Sequence, residues 1–175
     1  ERDMEELWEA NCQVIREALA KAGGGAAEKI RGIACSGHGK GLYLWGKDNK
    51  PAYNGIVSTD GRAWKYPEQW QKDGTAEKAF EKTYQRILAS QPVSILNWFK
   101  EHKPEVLENT QWIFECKDYI RFRLTGEAFA EKTDYSGSGL MNLRDRCFDE
   151  ELLALFGLKD LMRCLPPLKN ATDVC

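Results

Sequence analysis

The stretch from Gly32 to Arg62 constrains the fold more than any other part of the sequence. An apolar run, Ile33-Ala34-Cys35, opens into Ser36-Gly37-His38-Gly39-Lys40-Gly41. A second apolar run follows, then a cluster of turn residues, then Ser58-Thr59-Asp60-Gly61-Arg62. Glycine at every second position lets a backbone approach a small ligand closely, because no β-carbon stands in the way. The polar side chains between the glycines are then natural ligand contacts.

Around this stretch the hydrophobic pattern sets the elements. Residues 30–35 read as a buried strand and 42–45 as its neighbour. Gly46-Lys47-Asp48-Asn49-Lys50-Pro51 is a turn cluster, and residues 53–57 read as a third short strand. Strand, turn, strand, turn, strand predicts an antiparallel meander. Upstream, Met4, Leu7, Trp8, Val14, Ile15, Ala18 and Leu19 recur at helical spacing, and Gly23-Gly24-Gly25 ends that helix. After Arg62 the pattern predicts helices over 62–72, 74–88, 92–102 and 104–109, with Ser94, Ile95, Trp98 and Phe99 as an apolar stripe in the third. Residues 112–114 form a strand or open a helix. Residues 116–124 are helical up to Thr125-Gly126, residues 128–132 form a short strand, and 149–156 form a helix closed by Gly157. The mixture points to α/β or α+β, with a helical insertion after the meander.

At 175 residues there is enough chain for one core and a small subdomain. The net charge of −2, with both signs mixed along the chain, argues against nucleic acid or an acidic membrane as partner. No apolar run approaches the roughly 20 residues of a membrane span. Glu1-Arg2-Asp3-Met4 leads straight into a helix, so no signal peptide is expected. The cysteines at 12, 35, 116, 147, 164 and 175 form no Cys-x-x-Cys pair, and the histidines are His38 and His102, so no structural zinc site is expected. Cys12 and Cys35 read as small core residues, and a reduced, cytoplasmic setting fits. The abrupt start inside a charged helix, and the end at Ala171-Thr172-Asp173-Val174-Cys175, read as a segment of something longer.

A glycine-rich loop with a lysine suggests phosphate, and spacing tests it. A phosphate loop needs Gly-x-x-x-x-Gly-Lys-Ser/Thr. Here Ala34 stands at the first glycine and Gly41 follows Lys40, so two positions fail. The dinucleotide pattern fails as well, because Leu42 stands at its third glycine. His38 and Lys40 are then either ligand contacts or solvated residues of a tight turn. Asp60 and Arg62 either flank a site or mark a helix N-terminus capped by Asp60 or Thr59. Lys117, Asp118, Arg121 and Arg123 read as a solvated or salt-bridged helix face. Thr133-Asp134-Tyr135-Ser136-Gly137-Ser138-Gly139 is a second polar, glycine-bearing loop. Ser138 lacks the outer spacing of Gly-x-Ser-x-Gly, which sets a serine hydrolase aside.

Taken together, the segments Gly32 to Leu42 and Ser58-Thr59-Asp60-Gly61-Arg62-Ala63 resemble the sugar-binding region of FGGY-type carbohydrate kinases. In xylulose kinases the corresponding segments read like Ser-Gly-Gln-Met-His-Gly and Trp-Asn-Asp-Gly-Arg-Ala. Lys117-Asp118-Tyr119-Ile120, running on to Leu124-Thr125-Gly126, and Thr133-Asp134-Tyr135-Ser136 resemble two further segments of the family. The first helix is similar to that of members acting on L-xylulose or 3-keto-L-gulonate. The four segments fall in order over nearly the whole chain.

The resemblance implies a ribonuclease-H-like (actin-like ATPase) α/β fold with a mixed sheet. Residues 1–175 would be part of the N-terminal sugar-binding domain, truncated at both ends. The family's first strand and hairpin would precede Glu1, and its catalytic aspartate and C-terminal ATP-binding domain would follow Cys175. It implies no catalytic residue within this chain, a structural role for Asp134, and ATP and Mg bound by parts not present here. By position, Gly39 and Lys40 match the sugar-contacting pair, His38 the family's glutamine, and Asp60 the aspartate of the Asp-Gly-Arg segment that Arg62 completes. Gly39 replaces a bulky residue, Lys40 a histidine and Ser58 a tryptophan, which implies a roomier, more cationic pocket. The implied function is ATP-dependent phosphorylation of a terminal hydroxyl of a ketopentose or related sugar, of the L-xylulose or 3-keto-L-gulonate type. The segment alone would be inactive and the intact protein a possible homodimer. The alternative is a non-catalytic sugar-binding or regulatory module of the same fold.

Overall fold

The computed structural model describes residues 1–174, and Cys175 lies outside the described residues. The chain opens with α1 (Met4–Ala22), whose N-terminus is capped by the Asp3 carboxylate accepting from the Glu5 and Glu6 amides. The predicted helix forms, but of its apolar residues only Met4 is buried, and Val14 is exposed. A single turn, α2 (Ala26–Lys29), follows. Residues 30–38 then run without regular structure.

This corrects the expected buried strand over 30–35. Ile30 and Ile33 are 50% and 61% exposed. Among the described residues no neighbouring strand offers them a ladder, and an unpaired strand gains too little to hold its shape. Cys35 is likewise exposed and Cys12 only half-buried, so neither is the core residue expected.

The central element is β1 (Tyr43–Gly46), buried along its whole length. Its side chains alternate between two cores. Leu42 and Leu44 enter a large cluster with the helices that follow, whereas Tyr43 and Trp45 join Met4, Phe114, Tyr119 and Ile120. The expected meander is only half formed. On one side of β1 the chain turns at 47–50 and returns with irregular pairing, as the bridges Trp45 to Pro51 and Leu42 to Ile56. Gly55 also bridges back to Arg2. A side chain at Gly55 would meet the Tyr43 ring, so the backbone must pass bare there.

The helical insertion comprises α3 (Lys65–Lys72), α4 (Thr75–Thr83), α5 (Pro92–His102) and α6 (Pro104–Asn109). The second of these stops five residues before the predicted end at 88, because Tyr84 takes a left-handed conformation (φ 50°). Pro92 and Pro104 open their helices, where the missing amide is not needed. On α5, Val93, Ile95, Leu96 and Phe99 are buried, close to the expected stripe.

The other neighbour of β1 is β2 (Thr110–Phe114), antiparallel, with Tyr43 opposite Phe114 and Leu44 opposite Ile113. Then come α7 (Cys116–Thr125), ended by left-handed Gly126, β3 (Ala130–Glu131), α8 (Lys132–Tyr135), β4 (Met141–Asn142), β5 (Cys147–Phe148) and α9 (Glu150–Leu155). A 3-10 turn (Lys159–Cys164) leads to β6 (Leu168–Lys169), which pairs parallel with β3. The architecture is α/β with mixed pairing: helices lie on both sides of β1, and the segment entering β1 lies beside the loop after β3. Among the described residues no helix is long and apolar enough to cross a membrane.

Candidate functional site

Two glycine-bearing loops meet where the chain enters β1. They enclose a hollow of about 480 Å³ lined by Gly39, Lys40, Ser58, Thr133, Asp134, Ser136 and Gly137. The first loop turns through two consecutive left-handed residues, Lys40 (φ 63°) and Gly41 (φ 82°). The Gly41 amide donates to the Ser90 carbonyl at 3.1 Å, and Leu42 then starts the pairing with Ile56. A β-carbon at Gly41 would run into the Ile56 carbonyl oxygen, so glycine is required there. At Gly39 a β-carbon would stand 3.3 Å from Asp134 Oδ1, so the bare backbone leaves space for that carboxyl.

The second loop is held from outside the hollow. The side-chain amides of Gln85 and Gln91 donate to the carbonyls of Ser136 (2.7 Å) and Gly137 (2.8 Å). Its start is capped by the Glu131 carboxylate, which accepts from the Thr133 and Asp134 amides. Lys117 ties the two loops together. Its ammonium pairs with Asp134 Oδ1 at 2.7 Å and donates to the carbonyls of His38 (3.1 Å) and Gly37 (3.3 Å).

Beneath the loops lies a cluster of acids. Glu115, at the junction of β2 and α7, is fully buried and accepts the Lys40 amide at 3.2 Å. Asp118 is equally buried, accepts the Glu131 amide at 3.0 Å and pairs with Arg121 at 3.2 Å. Burial, then the charges of Asp134 and Asp118, hold the Glu115 carboxyl far above the usual carboxylate range. Burial likewise raises Asp118 to about 7, against the pull of Arg121.

Of the five residues singled out from the sequence, Gly39 and Lys40 line the hollow. His38 does not; its Nε2 shares a hydrogen bond with the Tyr43 hydroxyl at 3.1 Å. Asp60 and Arg62 form a two-point ion pair at 2.9 Å, and Arg62 also pairs with Glu1 at 2.7 Å and lies over the Trp98 ring. Burial works against the Asp60 charge, but the bonds from Arg62 outweigh it and keep the carboxyl below its ordinary range. Asp60 accepts the Arg62 amide rather than capping α3, whose N-cap position is Trp64. Lys117, Asp118, Arg121 and Arg123 are indeed salt-bridged, but Asp118 is buried rather than solvated. Glu115 gives no signal in the sequence, because a single acid between an apolar strand and a helix looks like any helix start. Asp134, Ser136 and Gly137 carry a visible signal, the second glycine-bearing loop.

The hollow thus lies between two polar, glycine-bearing loops at the end of a buried strand in an α/β domain. The sequence matches the N-terminal domain of the FGGY family of carbohydrate kinases over residues 1–175, and the chain belongs to that family. It is 40% identical over 174 residues to a probable L-xylulose kinase of Pasteurella multocida, covering 99% of this chain and 36% of that protein. It is 38% identical to the L-xylulose/3-keto-L-gulonate kinase of Escherichia coli, covering 100% of this chain and 35% of that one. The chain thus spans about a third of these relatives. The fold superposes on crystal structures of a gluconate kinase and a xylulose kinase from Lactobacillus acidophilus. Each has a TM-score of 0.85 and 29% identity, over 95% of this chain and 33% of the other. The fold is accordingly the ribonuclease-H-like, actin-like one of the sugar kinases.

Proposed function

We propose that this chain is the sugar-binding part of an ATP-dependent kinase that phosphorylates a terminal hydroxyl of a ketopentose or related sugar, of the L-xylulose or 3-keto-L-gulonate type. The observation that carries the proposal is the hollow where Lys40 meets Ser58, Thr133, Asp134 and Ser136, in a chain matched to the family throughout. Sugar hydroxyls need paired donors and acceptors, and a charged partner strengthens each bond. Lys40 supplies a cation for a keto oxygen, a hydroxyl or the carboxylate of an acidic sugar. The Ser58 hydroxyl donates or accepts, whereas those of Thr133 and Ser136, whose protons go to Glu131 and the Thr133 carbonyl, accept, as does Asp134. The work of these residues is to orient the substrate, the part of phosphoryl transfer that depends most on the protein.

Among the described residues no group of three or more metal-ligating side chains is placed to hold an ion. One oxygen of each of Asp134, Asp118 and Glu115 is taken by Lys117, Arg121 and the Lys40 amide respectively. By the family resemblance, ATP, Mg and the base that deprotonates the sugar are assigned to other parts of a longer protein, including a C-terminal ATP-binding domain. Residues 1–175 are, in the same reading, the N-terminal sugar-binding domain in part. The family resemblance is compatible with a homodimer, and the free thiols of Cys12, Cys116, Cys147 and Cys164 suit a reduced, cytoplasmic setting.

The test is a coupled phosphorylation assay of the full-length protein against ketopentoses, keto-acids and polyols. Lys40→Ala raises the sugar KM at least about tenfold and leaves the ATP KM in place. An unchanged sugar KM removes Lys40 from the site. Sugar binding by calorimetry without any turnover identifies the non-catalytic module instead.

A further inference from the structure

Glu115 has no role in the sugar contacts just assigned, yet it is the most enclosed acid of the cluster. Oε2 accepts the amide of Lys40, a residue 75 positions earlier, and Oε1 is buried with no partner. Asp134 repeats the pattern: Oδ1 pairs with Lys117, and Oδ2 is buried with no partner. The Asp134 charge acts directly on Glu115, and the free oxygens of both would be satisfied if the two groups hydrogen-bonded to each other. Two carboxylates cannot, because neither has a proton to donate. One proton between them satisfies both orphaned oxygens at once.

The surrounding charges point the same way. Around Glu115 stand the Lys40 amide of the first loop, Asp118 of α7, and Asp134 and Tyr135 of α8, with Lys117 beyond on Asp134 and Arg121 on Asp118. Lys117 is already paired with Asp134, and Arg121 with Asp118. The Tyr135 hydroxyl donates to the Ile113 carbonyl. That leaves three carboxyls against these two cations, and Glu115, fully buried and without a cation of its own, is most economically neutral.

We propose that Glu115 is a positioning residue for the sugar pocket, a neutral acid that joins the Lys40 backbone to the Asp134 carboxylate through one shared proton. The two groups it joins stand on opposite loops of the hollow. Through the Lys40 amide it holds the left-handed backbone that presents the Lys40 side chain. Through Asp134 it orients the acceptor across the pocket. The inference rests on the proposed sugar site, and loss of this proton would loosen both of its walls.

The experiment uses the full-length protein with Glu115→Ala and Glu115→Gln. The alanine variant raises the sugar KM about tenfold without moving the ATP KM, and the glutamine variant, which still accepts from Lys40 and donates to Asp134, restores it to within about threefold. Above neutral pH the wild-type sugar KM rises as the shared proton is lost, and that rise flattens in Glu115→Gln. Infrared spectra at about pH 8, above the value of about 7 to which Asp118 is raised, show a protonated-carboxyl stretch that Glu115→Gln removes. Absence of that stretch, a glutamine variant as impaired as alanine, or an alanine variant with unchanged sugar KM overturns the proposal. Should the alanine variant fail to fold, the glutamine pH profile and the infrared stretch decide. A wild type that phosphorylates no sugar overturns the functional reading, while the infrared stretch still decides the shared proton.

Discussion

Gly41 is where the first loop commits to its shape. Its left-handed backbone and the Ile56 carbonyl oxygen beside it both exclude a side chain. Gly41→Ala therefore combines backbone strain with a clash and destabilises the fold by about 2–4 kcal/mol, read as a lower urea midpoint at unchanged slope. An unshifted midpoint means the turn relaxes freely. The glycine spacing makes this loop legible in the sequence, and Lys40 with it. It does not distinguish Lys40, which lines the hollow, from His38, which turns to Tyr43. Alternation along a loop carries no fixed period, so facing must be read from tertiary neighbours. Asp60 and Arg62 show the same limit, since an acid two residues before an arginine serves a site or an internal ion pair equally well.

The helices are the most legible elements, because a 3.6-residue apolar period is a local signal. The starts of α5 and α6 at Pro92 and Pro104 agree with the expected ones, and α7 ends beside the expected Thr125-Gly126. The end of α4 is not legible, because Gln85 and Gln91 leave the helix pattern to hold the second glycine loop. One cap also serves as a tertiary tie. Asp149 caps α9 through the Leu152 amide and pairs with Lys82 of α4 at 2.7 Å. Burial opposes its charge, but Lys82, the Leu152 amide and Asn142 lower it to about 2. Its folded-state value lies below its unfolded one, so its contribution is present above the ordinary aspartate range and is lost as pH falls towards about 2. Asp149→Ala costs about 1–2 kcal/mol at neutral pH, and Asp149→Asn, which keeps a cap and loses the charge, costs less. Thermal melts from neutral to acid pH measure both, and equal costs would leave the Lys82 pair without weight.

At the scale of the whole molecule, β1 divides two cores, and the two loops of the site meet where the chain enters it. Glu115 and Asp118 lie between those parts with raised carboxyls, the opposite case to Asp149. A group whose folded-state value exceeds its unfolded one stabilises most below the unfolded value and loses that contribution as pH rises through the folded one. For Asp118 the window runs from the ordinary aspartate range up to about 7. Stability should fall across it by up to about 1.4 kcal/mol per pH unit for each carboxyl. Asp118→Asn, which can still accept the Glu131 amide, flattens that decline. A melting temperature that rises through neutrality in the wild type would contradict the buried acids.

Residues 4–22, 92–109 and 116–125 are specified locally: apolar spacing, prolines at helix starts and a terminal glycine act within a few residues. Glycine spacing alone locates the first loop of the hollow, and four short segments in order carry the family resemblance. Tertiary structure decided the rest. It left 30–35 without a strand partner, paired β1 with β2 rather than in a full meander, and set Glu115 under an amide 75 residues away. Ladder partners and the protonation of a buried acid depend on groups brought together from distant parts of the chain, and no local pattern encodes those distances.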